Sequence, residues 1–451
     1  MQEVKLPEEF LRRMQEMLGE EYGAFLKSYE EERAQGLRVN EVKISREKFS
    51  ELSPFFLTPV EWCETGYYYG KEERPGKHPY HEAGLYYIQE PSAMAVVELL
   101  SPEQGERVLD LCAAPGGKTS HIASKLKGDG FLLSNEIHPQ RARILAQNVE
   151  RMGLRNTVVT NENAGHLAER FAGFFDKIVV DAPCSGEGMF RKDENARAEW
   201  SPENVALCAE RQREILEEAD KMLCPGGMMV YSTCTFAREE DEEMVKEFLQ
   251  KHEEYGLVER DVPEGFVKGE RIGMYRLFPH KIKGEGHFVA VLKKMGQGSA
   301  RTLPPIQALK DKKLLAPYEE FKKSLNLQVE GDKYILFGEQ LYLVPPEMTD
   351  MKGLKVVRPG FHLGSFKKNR FEPSHGLALA LKKEEVNSTV SFAADSTQIQ
   401  AYLRGESIPL QNLPEVKNGW CLVLADGYSI GWGKVNNGIL KNHYPKGLRV
   451  M

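Results

Sequence analysis

Long apolar runs and targeting signals are absent from this sequence. No stretch approaches the ~18 consecutive apolar residues that a membrane-spanning helix needs. The amino terminus, Met1 to Pro7, lacks the basic segment and apolar core of a secretory signal. Internal repeats and long low-complexity tracts are absent as well. We therefore expect a cytoplasmic protein with no membrane role.

Cysteine patterns, metal-ligand patterns and excess positive charge are also missing. The seven cysteines have no tight repeated spacing, and their odd number argues against a disulfide framework. His78 and His81 do not belong to a metal-ligand pattern, and no metal is expected. The net charge of -7 gives no general attraction to nucleic acid, so a local basic face would have to provide it.

The chain is long for one domain, at 451 residues, and its hydrophobic fraction of 41% is ordinary for a globular protein. A charged helical pattern from Glu8 to Glu32, a strand pattern from Leu37 to Ile44 and a predicted loop from Tyr67 to Tyr87 indicate a small α+β appendage. A segment of Gly, Gln, Ser and Pro between Met295 and Pro305 indicates a linker. The predicted division is 1–85, 86–296, 297–375 and 376–451, with a β-rich C-terminal region.

Residues 90–294 alternate between strand and helix patterns. Apolar runs predict strands at 107–112, 131–136, 157–160, 177–181 and 228–233, and a closing pair at 274–277 and 287–292. Helices are predicted at 119–126, 139–152 and 205–223. This order predicts an α/β fold with a Rossmann-like, doubly wound and mostly parallel sheet. Ligands bind such a sheet at the carboxyl ends of its strands.

Two cysteines directly follow predicted strands. Residues 181–186 read Asp-Ala-Pro-Cys-Ser-Gly, and residues 231–234 read Tyr-Ser-Thr-Cys. The thiols of Cys184 and Cys234 and the carboxylate of Asp181 are therefore expected at one edge of the sheet, where they favour covalent chemistry on an electrophilic ring. An arbitrary cysteine is more often an inert packing residue. That is the role we expect of Cys208, Cys224 and Cys421, and of the Cys112 side chain, while the Cys112 backbone can line the loop that follows the first strand.

A glycine-rich turn and an acidic residue predict a nucleoside site. Residues 113–119, Ala-Ala-Pro-Gly-Gly-Lys-Thr, join the first predicted strand to a helix, and Glu136 ends the second strand. Glycine lets the backbone approach a ligand closely, and an acidic side chain at such a strand end accepts hydrogen bonds from ribose hydroxyls. The spacing differs from Gly-x-Gly-x-x-Gly, which disfavours a nicotinamide-dependent dehydrogenase.

Together, the segments 111–119, 181–188 and 231–235 resemble the Sun-type RNA cytosine-5 methyltransferases, most of all the bacterial RsmF-like 16S ribosomal RNA methyltransferases. The resemblance implies S-adenosylmethionine as cofactor. It implies cofactor contacts from these residues: Cys112, Ala113, Ala114, Pro115, Gly116, Gly117, Lys118, Glu136, Asn163 and Asp181. The family usually has an aspartate where this chain has Asn163, whose carbonyl oxygen can accept the same hydrogen bond from the adenine amino group.

Methylation of cytosine at C5 needs a thiolate that adds to C6 and an acid beside N3. This chemistry alone does not decide between the two cysteines. By resemblance, Cys234 is the nucleophile, Cys184 assists release of the methylated product and Asp181 bonds N3. DNA cytosine-5 methyltransferases use a Pro-Cys motif instead, which would nominate Cys184. The presence of both motifs favours the RNA family.

Basic and aromatic residues in the flanking regions predict contacts with RNA. Six Lys or Arg and no acidic residue lie between Lys352 and Arg370. Further candidates are Arg191, Lys192, Trp432, Lys434, Lys441, Tyr444, Lys446 and Arg449. Residues 432–434 and 440–445 resemble the end of the RsmF-like C-terminal region, which is similar to a PUA module, an RNA-binding β-barrel. Residues 37–40 match the family's N-terminal pattern.

The resemblance therefore implies RNA as partner, specifically 16S ribosomal RNA or the small ribosomal subunit, and we expect a monomer. Two alternatives stay open: the same chemistry on transfer RNA or DNA, and a non-catalytic ribosome assembly factor that keeps the fold. The presence of Asp181, Cys184 and Cys234 argues against the second.

Overall fold

The N-terminal region forms a small antiparallel sheet flanked by helices. The computed structural model describes residues 5–298, 300–326, 333–368, 370–410 and 416–449. The first elements are α1 Glu8–Leu18, α2 Tyr22–Ser28, β1 Gly36–Val39, α3 Arg46–Leu52, β2 Leu57–Val60, β3 Cys63–Tyr69, α4 Pro79–Glu82 and β4 Tyr86–Ile88. The strands lie in the order β2-β3-β1-β4.

Three sequence expectations for this region were wrong in detail. The predicted helix from Glu8 to Glu32 is broken at Gly19, whose φ of 53° lies in the left-handed region. The predicted strand from Leu37 to Ile44 ends at Val39, because the buried Asn40 turns the chain and its side-chain amide donates to two backbone carbonyls, each 2.8 Å away. The predicted loop between 67 and 87 contains the end of β3, helix α4 and most of β4.

The central region contains the alternating elements predicted from the sequence. They are α5 Pro91–Leu100, β5 Arg107–Asp110, α6 Gly117–Leu126, β6 Phe131–Asn135, α7 Pro139–Arg151, β7 Thr157–Thr160, α8 Ala164–Phe171, β8 Phe175–Asp181, α9 Glu194–Glu199, α10 Pro202–Met222, β9 Leu223–Thr233, α11 Glu242–Lys251, β10 Tyr255–Leu257, β11 Phe266–Lys268, β12 Met274–Leu277 and β13 His287–Lys294.

These strands build a Rossmann-like mixed sheet, which confirms the predicted fold class. Strands β5 to β9 are parallel, in the order β9-β8-β5-β6-β7, and β13 continues the sheet antiparallel to β9. The chain fills one side of β5 first and then crosses to β8 on the other side, so the topological switch point lies between β5 and β8. Ligand sites in open α/β sheets form at this point.

Helices cover both faces of the sheet, as continuous apolar strands require. Along β8, Ile178 and Val180 join one buried apolar cluster, while Val179 joins the cluster on the opposite face. Both faces of β8 are therefore buried around these residues, and the polar Asp181 lies at the carboxyl end of the strand. None of the described helices is long and apolar enough to cross a membrane.

The C-terminal half forms two further sheets. Its elements are α12 Lys312–Lys322, β14 Tyr334–Phe337, β15 Gln340–Leu343, β16 Val356–Arg358, β17 Phe361–Lys367, β18 Arg370–Pro373, α13 His375–Ala380, β19 Thr389–Phe392, α14 Thr397–Arg404, β20 Ile408–Pro409, β21 Gly419–Ala425, β22 Tyr428–Asn436 and β23 Ile439–Asn442. The sheet orders are β14-β15-β17-β18 and β19-β21-β22-β23-β20.

Strand β16 leaves the C-terminal region and joins the central sheet. It pairs antiparallel with β7, with Val356 opposite Thr160. Its last residue, Arg358, is buried and forms an ion pair with Glu150 of α7 at 3.0 Å. Arg358, counted in the sequence among the basic residues for RNA, therefore serves instead to attach the C-terminal region to the core.

Candidate active site

A cavity of about 280 Å³ opens at the carboxyl ends of the strands on either side of the switch point. The loops after β5, β6, β7, β8 and β9 meet there because these strands are parallel and their carboxyl ends lie at one edge of the sheet. The residues that line it are Leu111, Cys112, Ala114, Asn135, Glu136, Ile137, His138, Arg141, Glu162, Ala164, Asp181, Ala182, Pro183, Cys184, Ile215 and Cys234.

The two predicted catalytic cysteines meet at this cavity. Strands β8 and β9 are parallel neighbours with Asp181 opposite Ser232, so the loops that follow them emerge side by side. The sulfur atoms of Cys184 and Cys234 lie 3.3 Å apart, and the Cys234 backbone N–H also points at Cys184 Sγ, at 3.4 Å. The hydrogen bond to Cys234, together with burial, raises the pKa of the Cys184 thiol well above its ordinary value. Cys184 is therefore a neutral thiol at neutral pH.

Asp181 forms an ion pair beside the thiols. Its Oδ2 lies 2.6 Å from Lys118 Nζ, and its Oδ1 accepts a hydrogen bond from Ser232 Oγ at 2.8 Å. Burial acts to raise the pKa of Asp181, but Lys118 and His287 outweigh it and hold the pKa below its usual range. Lys118 in turn has a raised pKa, since Asp181 outweighs the effect of burial. The pair is thus a carboxylate and an ammonium in the free protein.

The glycine-rich turn is divided between two roles. Cys112 and Ala114 contribute to the cavity wall, whereas Ala113, Pro115, Gly116, Gly117 and Lys118 are not among the lining residues. Gly116 precedes α6 with a φ of 113°, a conformation that side-chain-bearing residues rarely adopt. Lys118, one residue into α6, directs its ammonium group to Asp181 rather than to the cavity. No sequence pattern indicated that ion pair.

Glu136 lies where the resemblance implies a ribose ligand. It is buried at the end of β6, and its Oε1 accepts the backbone N–H of His138 at 2.9 Å. Arg141 Nη1 lies 3.3 Å from its other oxygen. Ile137 and Ile215 line the same cavity with apolar surface. An oriented carboxylate between apolar side chains has the chemistry that a nucleoside requires, an acceptor for its hydroxyl groups and a dry surface for its flat ring.

Asn163 does not face the cavity. Its side chain is exposed and caps α8, with Oδ1 accepting the backbone N–H of His166 at 2.9 Å. The preceding residue, Glu162, is buried and lines the cavity. Its Oε1 accepts the backbone N–H of Lys355 at 2.7 Å, and its Oε2 lies 3.1 Å from His166 Nδ1. The rule applied to Glu136, an acid just past a strand end, would have identified Glu162 from sequence.

Several cations and aromatic residues predicted to contact RNA are structural. Arg191 forms a buried ion pair with Glu285 at 2.8 Å, so of the two cations predicted in this loop only Lys192 is exposed. Trp432 and Tyr444 are buried. Lys434 and Lys441 are exposed, and the half-buried Trp420, which the sequence reasoning did not select for RNA, lies beside them.

Three of the four predicted packing cysteines lie outside the cavity lining. Cys208, Cys224 and Cys421 are buried. Burial raises the pKa of the Cys208 thiol, and likewise that of Cys421, to about 11. These thiols are neutral and poor nucleophiles at neutral pH. Cys112 is the exception in position, since it belongs to the cavity wall.

Comparison with family models matches four consecutive parts of the chain. Residues 6–91 match the N-terminal domain of 16S rRNA methyltransferase RsmF, and residues 97–293 match 16S rRNA methyltransferase RsmB/F. Residues 320–381 match the RsmF rRNA methyltransferase first C-terminal domain, and residues 389–450 match the methyltransferase RsmF PUA domain.

Similar proteins cover the whole chain. A relative named ribosomal RNA small subunit methyltransferase F from Vibrio campbellii is 30% identical over 469 residues, which are 99% of this chain and 98% of the relative. Its namesake from Enterobacter sp. is 32% identical over 472 residues, 99% of this chain and 96% of the relative.

Two solved structures share the fold. A methyltransferase homologue from Pyrococcus horikoshii is 28% identical, with a TM-score of 0.58 over 65% of this chain and 96% of that chain. NSun6 from P. horikoshii with SFG has a TM-score of 0.55 at 24% identity, over 64% of this chain and 99% of that chain, a likeness of fold alone.

Proposed function

This chain belongs to the 16S rRNA methyltransferase RsmB/F family, and from this we propose that it forms 5-methylcytosine in 16S ribosomal RNA. As a member, it is an S-adenosylmethionine-dependent RNA cytosine-5 methyltransferase. The observation that carries the proposal is the 3.3 Å between the sulfur atoms of Cys184 and Cys234 at the cavity. S-adenosylmethionine supplies a methyl group on a positively charged sulfur.

In the proposed reaction, the Cys234 thiolate adds to C6 of the target cytosine, which makes C5 nucleophilic toward the methyl group. The C5 proton then passes to a base, with solvent water as the final acceptor. The electrons of the C5–H bond re-form the C5–C6 double bond, and Cys234 leaves C6 as a thiolate. Cys184 lies within hydrogen-bond distance of Cys234 and is a neutral thiol, so it can exchange a proton with its neighbour during release. The target base must be everted from structured RNA to reach this site, at a cost of a few kcal/mol.

We assign contact with the edge of the pyrimidine to Asp181, with Lys118 supporting it from outside the cavity lining. Because Asp181 is ionised in the free protein, it can accept a hydrogen bond from the cytosine amino group but has no proton to give to N3. Lys118, whose Nζ lies 2.6 Å from Asp181, does not line the cavity, and its positive charge behind Asp181 can stabilise the electrons displaced by thiolate attack.

The cofactor contacts follow the cavity wall. We propose that Glu136 accepts hydrogen bonds from the ribose hydroxyls and that Glu162, rather than Asn163, accepts one from the adenine amino group. The burial of Glu162 at the cavity and the exposure of Asn163 support this assignment. Glu162 also receives a hydrogen bond from Lys355, so the C-terminal region supports the cofactor site.

Replacing Glu162 with alanine is expected to weaken S-adenosylmethionine binding by about tenfold or more, because a hydrogen bond to a charged group contributes about 1.5–3 kcal/mol. Asn163→Ala is the matched control. It should leave the dissociation constant unchanged and lower the free energy of unfolding by about 1 kcal/mol, the usual cost of losing a helix N-cap. Titration calorimetry measures the dissociation constant of S-adenosylmethionine, and thermal unfolding measures the change in stability. The opposite pattern, weaker binding in Asn163→Ala alone, would restore the assignment made from sequence.

Besides the reaction site, we propose an RNA contact on the C-terminal sheet. Trp420, Lys434 and Lys441 lie directly opposite one another on β21, β22 and β23, so their side chains share one face. Lys434 Nζ is 5.7 Å from the centre of the Trp420 ring, and the centres of the Trp420 and His443 rings are 4.6 Å apart. An aromatic ring beside two cations can stack an unpaired base and bind its phosphates.

Combined replacement of Lys434 and Lys441 by alanine is expected to reduce the salt dependence of RNA binding. The slope of log affinity against log salt should fall in magnitude by about 1.4, because each phosphate contact to single-stranded RNA accounts for about 0.7. The double substitution Lys312→Ala and Lys313→Ala, which removes two exposed cations from α12, is the control. Equal slopes in both variants would exclude this surface as an RNA contact.

We further propose that the regions 1–85, 86–296, 297–375 and 376–451 act as an RNA-binding appendage, a catalytic core, an intermediate domain and a PUA-like module. The sheets of these regions support the division, except that β4 of the second region pairs with β1 and β16 of the third pairs with β7. A ribosomal RNA substrate in a bacterial cell would place the enzyme in the cytoplasm, where we propose that it acts as a monomer on the RNA or the small subunit.

The test is incubation with labelled S-adenosylmethionine and separate pools of 16S ribosomal RNA, small ribosomal subunits and transfer RNA. Label is expected in 16S RNA, free or in the subunit, and bisulfite sequencing should locate it at cytosine. Label in transfer RNA alone would overturn the substrate assignment. Transfer to none of the pools would favour a binding factor without activity.

A further inference from the structure

A buried carboxylate connects the two loops that carry the cysteines. Glu240 is fully buried behind the site and does not line the cavity. Its Oε2 accepts the backbone N–H of Ser185 at 3.0 Å and the side-chain amide of Gln212 at 2.8 Å, and its Oε1 accepts the Ser185 hydroxyl. Gln212 Nε2 also donates to the Pro183 carbonyl at 3.0 Å. The residues on both sides of Cys184 are thus attached, directly or through Gln212, to one side chain.

The same carboxylate reaches the loop of Cys234. The Ser185 and Thr235 hydroxyl oxygens lie 2.8 Å apart, which joins the residue after Cys184 to the residue after Cys234. The backbone carbonyl of Glu240 accepts the Tyr231 hydroxyl at 2.6 Å, which ties it to the end of β9 as well. The hydrogen bonds of Glu240 therefore restrain the two sulfur atoms relative to each other.

We propose that Glu240 is a positioning residue that holds the Cys184 and Cys234 thiols in register for addition and release. This inference rests on the proposed covalent mechanism and adds a residue that touches neither substrate. The nearby Glu242 offers a contrast. Its carboxylate accepts a hydrogen bond from Arg276 Nε at 2.6 Å and does not bind either cysteine loop.

The hydrogen-bond pattern distinguishes positioning from charge. The donors to Glu240 are all neutral, and burial raises its pKa to about 7. Glutamine can reproduce the pattern, with its oxygen accepting from Ser185 N–H and Gln212 while its amide group donates to the Ser185 hydroxyl, which then donates to Thr235. Alanine cannot. Glu240→Gln should therefore retain single-turnover methyl transfer within about threefold, whereas Glu240→Ala should lose about 100-fold, the usual effect of misplacing a reacting group by about 1 Å.

A second measurement reads the thiol geometry without RNA or cofactor. The aromatic disulfide 4,4′-dipyridyl disulfide converts one thiol to a mixed disulfide and releases one thiopyridone. The neighbouring thiol then displaces a second thiopyridone and forms the protein disulfide. Mass spectrometry identifies the disulfide between Cys184 and Cys234. Release of the second thiopyridone should be fast in the wild type and in Glu240→Gln. It should be about tenfold slower or more in Glu240→Ala, because disulfide formation needs specific geometry.

Two further variants control for stability. Glu242→Ala leaves Arg276 buried without that partner and should lower thermal stability while leaving thiol pairing and transfer per folded molecule unchanged. Thr235→Val removes the contact with the Ser185 hydroxyl, together with the hydrogen bond that Thr235 Oγ1 accepts from the Ala237 backbone N–H at 3.3 Å. It should slow both measurements even if Glu240→Ala does not fold. Wild-type thiol pairing and transfer in Glu240→Ala or in Thr235→Val would overturn the proposal. A different outcome would separate the two proposals. If thiol pairing slows in Glu240→Ala as expected but the wild-type protein transfers no methyl group, the proposed function is refuted while the positioning role of Glu240 stands.

Discussion

Replacement of Cys234 by alanine is expected to abolish methyl transfer, by on the order of 10⁴-fold or more, while the affinity for S-adenosylmethionine stays within about threefold. Cytosine C5 is a poor nucleophile until a thiolate has added to C6, and no other group at the site replaces that thiolate. Cofactor binding survives because Cys234 lies at one end of the cavity and the proposed nucleoside contacts, Glu136 and Glu162, come from β6 and β7. Transfer of labelled methyl groups to RNA and titration calorimetry measure the two quantities.

Cys208→Ala is the matched control for this variant, because Cys208 is a buried thiol of α10 outside the cavity lining. It should retain near-wild-type transfer per folded molecule. Substantial turnover by Cys234→Ala would contradict the assignment. If Cys184→Ala were at the same time inactive and formed no adduct, the roles of the two cysteines would be reversed, as in the DNA enzymes with a Pro-Cys nucleophile.

The second large effect is expected for Cys184→Ala, which should trap a covalent complex of protein and RNA. With Cys234 intact, addition to C6 and methyl transfer still proceed, but release loses the neutral thiol that lies 3.3 Å from the attacking sulfur. Turnover should fall by about 100-fold, a typical loss when general acid-base assistance is removed. A denaturation-resistant band of protein joined to RNA is the readout.

The double variant Cys184→Ala and Cys234→Ala separates this adduct from other cross-links. It should form no stable band, since the adduct needs the Cys234 sulfur. A band of equal strength in the double variant would mean that another group attaches to the RNA. Rapid turnover by Cys184→Ala without accumulated adduct would show that Cys184 has no part in release.

The sequence was informative where one strand and the loop after it carry the signal. The parallel strands were predicted because continuous apolar runs such as 178–180 are typical of strands that are buried on both faces. The meeting of Cys184 and Cys234 followed from the common edge of parallel strands, and Glu136 followed from its place at a strand end. These inferences need no knowledge of distant contacts.

Features that depend on distant partners could not be predicted in this way. Nothing near Lys118 indicates that its ammonium group would pair with Asp181, 63 positions further on. Arg191 lies in a loop and looks exposed in the sequence, but Glu285 and two backbone carbonyls enclose its guanidinium group. The strand-end rule could have identified Glu162, but the capping role of Asn163 depends on where α8 begins.

The pairing of β16 with β7 affects how the protein can be shortened. A catalytic fragment that ended at the linker would leave the outer edge of β7 with unpaired backbone groups, and open strand edges invite association between molecules. The same cut would leave Glu150 without Arg358. A truncation that keeps the chain through residue 358 retains the strand that shields this edge, whereas one that stops near residue 296 should yield a sticky, aggregation-prone protein even though every residue of the reaction site is present.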